Sequence, residues 1–309
     1  METQEQKDLI KNAIEQAKLN GILKYLPNGE LTHAPFSLSP YAMPESVFEK
    51  MAELTVPFNE LMIKVSRNTD FLIHHLEPIA AIDPFLKMLL KCRSKEINQN
   101  CQLLIQRNDF FIANVKHNDY KQNTTPTNEI TEESFLRQVE LNTVSASFPF
   151  LITRLYQLHK NLFEQNKLPK VIQNNPLDAV VDAFAHSVQN YGISDSVILV
   201  VVQSNEKNIF DQIGLQQHLW IKHNIATVRK TLVEIHKDGK LRQGHLVVDG
   251  KTVALTYFRA GYTPDDFPEE QAFKGRQLIE ASSTIQVPDM VMQLSGMKKI
   301  QQVLTKKEV

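Results

Sequence analysis

Glycine is scarce in this chain of 309 residues. It has 10, and neither GxGxxG nor GxxxxGK[ST] occurs. A loop that cradles phosphates with backbone N–H groups needs clustered glycines, so no such loop is encoded here. Cysteine is scarcer still. Cys92 and Cys101 have neither zinc-ligand spacing nor a CxxC pair, which excludes a zinc finger or a dithiol redox motif. Free thiols in a reducing cytosol are the simplest reading, and a cytoplasmic location is expected. Excess charge of either sign is also missing, with 34 basic against 35 acidic residues and no basic stripe. Nucleic acid is therefore not an expected partner, because neutralising phosphates takes clustered Lys and Arg. Long apolar runs are absent. The most apolar run, Val197–Val202, falls far short of the roughly 20 residues that cross a bilayer. The opening METQEQKDLIKNAIEQ is charged and lacks the apolar centre of a signal peptide, so no membrane partner is expected. There is no internal repeat.

What the chain does have is a patterned stretch, FLRQVELNTVSASF, from Phe135 to Phe148. Residues Phe135–Val144 suit a β-strand, with Val139, Leu141 and Thr143 on one face and Gln138, Glu140 and Asn142 on the other. A carboxylate and an amide two residues apart on a strand lie ~7 Å from each other on one face. Both are hard oxygen donors, which suits magnesium held between protein and nucleotide phosphates. Ser145, Ala146 and Ser147 follow, small enough for a ligand to reach the backbone. On the residues alone, an ordinary amphipathic strand with a wet face is the preferred account.

Elsewhere the pattern predicts mixed α/β structure. Residues 6–25 read as an amphipathic helix ending near Gly21, and APFSLSPYAMP (Ala34–Pro44) as extended chain. Two or three helices are expected between Glu45 and Lys95, broken near Pro57, Asn68 and Pro84. Apolar alternations at Cys101–Ile105 and Asp109–Val115 precede a polar loop, His117–Thr131. Asn175-Pro176 reads as a helix start, with the helix running to Tyr191 and stopping at Gly192. Val197–Val202 suits a strand buried on both faces of a parallel sheet. A helix over Phe210–His223 and a strand at Ile225–Thr231 complete a βαβ unit, so a boundary is expected near residue 193. Leu246–Phe258 reads as a hairpin turning on Asp249-Gly250.

The string QVELNTVSASF closely resembles the glutamate-isoleucine-asparagine-threonine-isoleucine-serine-alanine-serine signature of eukaryotic-type glutathione synthetases. Further stretches match in the same order: APFSLSP, FNELMIKVSRN (Phe58–Asn68), NNP (Asn174–Pro176), NEKNIFDQ (Asn205–Gln212), YFRAGY (Tyr257–Tyr262) and MKKIQQ (Met297–Gln302). The resemblance implies a partial, circularly permuted ATP-grasp fold. A helical N-terminal region with antiparallel strands (residues 1–192) would be followed by a Rossmann-like α/β substrate-binding domain (193–296). Residues 297–309 would begin the return into the ATP-grasp region. The family's reaction is ATP-dependent peptide ligation: the cysteinyl carboxylate of γ-glutamylcysteine is phosphorylated, and the glycine amine attacks the acyl phosphate. Mg2+ and ATP are the implied cofactor and co-substrate, and a homodimer the implied assembly.

By the same resemblance, Arg107, Val144, Ser145, Ala146, Ser147, Glu206, Asn208, Gln212, Arg259 and Tyr262 contact the dipeptide. Glu140 and Asn142 hold magnesium, and Lys298 and Glu140 contact ATP. The chemistry agrees, since a guanidinium clamps a carboxylate through two parallel hydrogen bonds and Glu206 suits an ammonium. Each residue also has a plainer account. Arg107 would be a solvated loop residue, Arg259 a surface residue at a strand end, and Glu206 a helix-start acid favoured by the dipole. Lys298 would belong to the solvated helix end KKIQQVLTKKEV. Two departures stand out: Ala260 replaces a usual aspartate, and Phe148-Pro149-Phe150 replaces Phe-Gly-Gly. Family members continue beyond Val309 into a glycine-rich lid, so the chain alone is not expected to make glutathione at a useful rate. The chain would then be a truncated product, or one half of a split enzyme that a complementary C-terminal chain completes. The alternative is a catalytically silent module that binds γ-glutamyl peptides.

Overall fold

A computed structural model describes residues 3–93, 101–113, 135–165 and 170–306. The expected loop at His117–Thr131 lies outside these. In chain order, helix α1 (Gln4–Leu19) is followed by strands β1 (Leu23–Tyr25) and β2 (Leu31–His33). Helices α2 (Glu45–Glu53), α3 (Thr55–Arg67), α4 (Thr69–Ala80) and α5 (Pro84–Cys92) come next. Strands β3 (Arg107–Ala113) and β4 (Phe135–Asn142) precede helices α6 (Pro149–Gln165) and α7 (Pro176–Tyr191). Then come β5 (Val197–Val201), α8 (Ile209–His223), β6 (Thr227–Lys230), α9 (Leu232–Asp238), β7 (Lys240–Arg242), β8 (His245–Val248) and β9 (Lys251–Phe258). The chain closes on α10 (Glu270–Glu280), β10 (Ile285–Val287), α11 (Met290–Ser295) and α12 (Lys298–Leu304). This is a mixed α/β architecture. It forms two compact units, each built from separated segments.

The first unit comprises residues 1–41, 147–186 and 204–226. Its core joins Ala13 and Ala17 of α1 with Ile22 and with Leu158 and Leu162 of α6. A Thr3–Gln6 capping box starts α1. The helix stops at Leu19, earlier than its apolar pattern implies, because Asn20 caps it and Gly21 turns the chain at φ +76° into β1. Pro149 sits at the first position of α6, where its missing N–H costs nothing. The Asp211 carboxylate, 1% exposed, accepts the N–H groups of Phe148, Phe150 and Leu151 at 2.9, 3.1 and 3.2 Å. The Phe150 ring lies so close to Gly214 that a Cβ there would fall 2.2 Å from it. The departure from Phe-Gly-Gly is thus a capped helix start whose second phenylalanine occupies the space Gly214 leaves.

The second unit comprises residues 42–146, 187–203 and 227–309. Its sheet runs β6-β5-β9-β8-β7, with β10 also pairing β9. Strands β5, β6, β9 and β10 are mutually parallel where they pair, while β7, β8 and the start of β9 are antiparallel. Every residue of β5 is buried, as its unbroken apolar run predicts. The expected hairpin is present, with Asp249 and Gly250 both at positive φ. Strands β7 and β10 carry no comparable signal, since each is only three residues long. A second core gathers α3, α4, α5, α11 and α12 around Leu72, Leu76, Leu86, Leu89, Met290, Leu294 and Ile300.

Four helices, not two or three, occupy residues 45–92. The break expected at Pro57 falls at Leu54, because the first turn of α3 accepts a proline. Asn68 caps α4 and Asp83 caps α5, as the breaks at Asn68 and Pro84 imply. Of the two alternations after Cys101, only the second is strand, and 101–106 is irregular. Strand β4 corrects a further expectation. Leu141 and Thr143 are buried, but Val139 is 47% exposed. The pairing passes from Asp109↔Glu140 to Phe110↔Gln138, so Val139 is the extra residue of a bulge and leaves the alternation.

Candidate functional site

Within the second unit, the expected site residues fall into two clusters at either end of one continuous segment, 140–146. At its start, antiparallel pairing places Glu140 opposite Asp109 and Asn142 opposite Arg107. Asn142 Nδ2 donates to Glu140 Oε1 at 2.9 Å, and Lys298 Nζ forms an ion pair with Glu140 Oε2. Arg107 grips Asp109 through Nε at 2.9 Å and Nη2 at 3.2 Å, and the same Nη2 stands 3.8 Å from Glu140 Oε1. The Lys298 ammonium and the Asn142 amide hold the Glu140 carboxyl down at about 2. Asp109 raises the Arg107 guanidinium further above its already high value. Gln301, on the same helix as Lys298, fixes the backbone between these residues. It accepts from Leu141 N–H at 2.9 Å and donates to Leu141 C=O at 2.8 Å.

Glu140 and Asn142 therefore offer two adjacent oxygen-bearing side chains, one of them firmly ionised. Among the described residues no group of three or more His, Cys, Asp or Glu could hold a metal ion. Two oxygen donors fit magnesium that completes its shell with phosphate and water, not a cage made by protein alone.

At the far end of the segment, Ser145 takes a left-handed φ of +51° and Ala146 is buried. The Ala146 carbonyl accepts from Arg259 Nη1 and from the Tyr257 hydroxyl, both at 3.0 Å. Arg259 Nη1 also donates to the Tyr257 hydroxyl at 3.1 Å. Backbone N–H of Arg259 donates to Val201 C=O at 2.8 Å, which extends the β5–β9 pairing past the end of the strand. Arg259 is only 4% exposed, so its plainer account as a surface residue is corrected. It stands at the carboxyl end of parallel strands, where α/β sheets place ligands. With Ala at 260, the guanidinium takes its orientation from Ala146 and Tyr257. Tyr262 is 37% exposed on the loop that follows.

Ser147, Glu206, Asn208 and Gln212 belong to the first unit. Glu206 Oε1 accepts from Asn208 N–H at 2.8 Å, a local turn that opens α8, and Glu206 Oε2 is buried with no partner among the described residues. Gln212 is 3% exposed. Val144 is half-buried between the two clusters.

The reading of the residues missed Tyr257, Gln301 and Asp211. Tyr257 and Gln301 lie inside motifs already noticed, YFRAGY and MKKIQQ, and Asp211 lies inside NEKNIFDQ. No spacing rule distinguishes an aspartate that caps a helix some 60 residues away in sequence.

The family model for eukaryotic glutathione synthase, ATP-binding domain, matches residues 3–309. The chain belongs to the eukaryotic glutathione synthase family. It is 37% identical over 298 residues to a chloroplastic glutathione synthetase of Solanum lycopersicum, covering 92% of this chain and 51% of that protein. It is 34% identical over 310 residues to the glutathione synthetase of Dictyostelium discoideum, covering 96% and 61%. It is 29% identical over 317 residues to that of Homo sapiens, covering 98% and 64%. The chain thus spans between half and two thirds of these glutathione synthetases. A glutathione synthetase-like effector from Globodera pallida, solved without ligand, superposes with a TM-score of 0.80 at 20% identity, over 99% of this chain and 67% of that one. That likeness concerns the fold. No helix among the described residues is long and apolar enough to cross a membrane.

Proposed function

We propose that this chain takes part in the ATP-dependent ligation of γ-glutamylcysteine and glycine to glutathione. One observation carries the reading: Arg259 and the Ser145-Ala146 segment, assigned to the dipeptide from separate motifs, meet through a bond of 3.0 Å. That contact fixes a cation beside a small-residue backbone where a carboxylate-bearing substrate can approach. Arg259, Tyr262, Val144, Ser145 and Ala146 bind and orient γ-glutamylcysteine in this reading. Arg107 joins them once a substrate carboxylate competes with Asp109 for its fork. Glu140 and Asn142 hold magnesium, and Lys298, with Glu140, meets the phosphates of ATP. Magnesium supplies neutralisation of phosphate charge; the side chains supply position, which is most of what phosphoryl transfer asks of a protein. A nucleotide phosphate near Lys298 draws the ammonium from Glu140 and leaves that carboxylate to the cation. A circularly permuted ATP-grasp, divided at about residues 192 and 296, is the fold that goes with this reading, and a cytoplasmic homodimer the assembly.

Isothermal calorimetry with γ-glutamylcysteine tests it. The parent chain is expected to bind, and Arg259→Ala to bind about 10- to 100-fold more weakly, the worth of a charge-assisted hydrogen bond. Equal affinity in the two proteins would remove Arg259 from the site. Adding ATP, magnesium and glycine and following product by mass would show whether ligation follows binding.

A further inference from the structure

Strand β9 ends at Phe258, and the next residues carry both Arg259 and Tyr262. Past the Arg259 N–H bond to Val201 no regular ladder holds this segment, and Gly261 turns it at φ +94°, a conformation that suits glycine. One carboxylate holds it instead. Asp266 Oδ2 accepts three consecutive N–H groups, from Gly261 at 2.9 Å, Tyr262 at 3.0 Å and Thr263 at 3.1 Å. Its other oxygen accepts from Gln203 Nε2 at 2.8 Å. Gln203 follows β5, the parallel neighbour of β9, and the same Nε2 stands 3.5 Å from the Tyr262 hydroxyl. From below, Gln293 donates to Gly261 C=O at 2.8 Å, and the Arg276 guanidinium lies 3.7 Å over the Phe258 ring.

Ordinary helix capping explains only part of this arrangement. Asp266 is the third residue of a 3₁₀ turn, Pro264–Asp266, so its bond to Thr263 is a capping contact. The bonds to Gly261, Tyr262 and Gln203 reach beyond any cap. They tie the ends of two parallel strands to the segment that carries Arg259 and Tyr262.

We propose that Asp266 is a positioning residue for the dipeptide, acting through Tyr262 and Arg259 without touching the ligand. The proposal rests on the γ-glutamylcysteine reading above. A carboxylate suits the place because it has acceptors only. An asparagine keeps one oxygen for the three N–H groups but turns its amide NH2, a donor, toward Gln203. Gln203 must then reverse its amide, and Tyr262 loses its neighbouring donor.

The experiment compares the full 309-residue parent with Asp266→Ala, Asp266→Asn and, as a control on the adjacent exposed acid, Asp265→Ala. Each is titrated with γ-glutamylcysteine by calorimetry, and its urea midpoint and amide exchange at Gly261–Thr263 are measured. Asp266→Ala is expected to bind about tenfold more weakly, with faster exchange confined to those amides. Asp266→Asn is expected to recover most of the affinity, within about threefold of the parent, and Asp265→Ala to match it. That graded rescue at similar urea midpoints separates positioning from a general loss of structure. Should Asp266→Ala not fold, Asp266→Asn carries the test through amide exchange, which is expected to be faster at Gly261–Thr263 because a neutral oxygen accepts more weakly than a carboxylate, and exchange there equal to the parent's counts against the role. Unchanged binding or unchanged exchange in Asp266→Ala overturns this role alone. A parent chain that does not bind γ-glutamylcysteine overturns the proposed substrate and takes this role with it.

Discussion

Two carboxylates in the same compact unit each sit beside a cation, and they are shifted in opposite directions. Glu140 pairs with Lys298 at side-chain exposures of 28% and 67%, and its carboxyl is held at about 2. Glu280 pairs with Arg276 at 6% and 0%, and burial pushes its carboxyl up to about 7 against the pull of the guanidinium. Solvent decides the sign. Where water still solvates both partners, attraction costs little and the charged form wins. Where both are buried, losing hydration outweighs the partner. The exposed pair can be taken apart by an incoming phosphate or cation. The buried pair cannot, and Arg276, lying over Phe258, serves instead as the frame under the loop that carries Arg259.

The largest expected effect comes from breaking the buried pair from the cationic side. Arg276 donates to Glu280 through Nε at 3.0 Å and Nη2 at 2.7 Å, and packs on Phe258. Above about pH 7, where Glu280 is ionised, Arg276→Leu would leave a buried charge without its partner, which costs about 3–5 kcal/mol. Urea unfolding of the two proteins measures it, and a loss below about 1 kcal/mol would mean that Glu280 finds another partner or accepts a proton at no cost. Lys298→Leu, the same operation on the exposed pair, is expected to cost under about 1 kcal/mol.

The next effect separates the pairs by pH. Folded Glu280 keeps its proton up to about 7, while the unfolded chain releases it near its ordinary value of 4.5. Folding therefore takes up a proton between these values, and stability falls as pH rises through that window. Glu280→Gln removes this one titration, while buried Asp289, also pushed up, keeps its own, so the limb should become shallower and the gap to the parent should shrink as pH rises. A parent whose urea midpoint is flat from pH 5 to 7.5 would assign Glu280 an ordinary acidity and remove half of the comparison.

How much of this was legible beforehand depended on whether the signal was local. The all-buried strand β5, the Asp249-Gly250 hairpin and helix α7 follow from runs, turns and caps that a few neighbouring residues encode. Candidate site residues could be named through motif wording, but their mutual contacts could not. Nothing in the spacing says that Arg259 reaches the carbonyl of Ala146, or that Gln301 pairs with the backbone of Leu141 across 160 positions. The bulge at Val139 was hidden for the same reason, because it depends on register against β3. Asp266 had a readable signal, the Thr263-Pro264 helix start with an acid at its third position, yet that signal announces a cap and not the clamp on Gly261 and Tyr262.

The smallest expected effect belongs to the exposed acid itself. Glu140 is ionised down to about 2 in the folded chain but titrates near 4.5 when unfolded. Its contribution is complete above 4.5 and is lost as pH falls toward 2, the reverse of Glu280. Glu140→Gln should therefore leave neutral-pH stability within about 1 kcal/mol of the parent, since an exposed ion pair is worth little. It should also reduce the fall in stability on the acid side. Salt sharpens the test, because at 1 M the screening length shrinks to about 3 Å and an exposed pair weakens while a buried one hardly changes. Urea midpoints at low and high salt for Glu140→Gln and Glu280→Gln give the contrast directly: the Glu140 difference should shrink with salt and the Glu280 difference persist. A Glu140 loss that exceeds about 2 kcal/mol and ignores salt would mean that Glu140 holds the β3–β4 pair together, which would leave it a structural residue rather than one kept available for magnesium and phosphate.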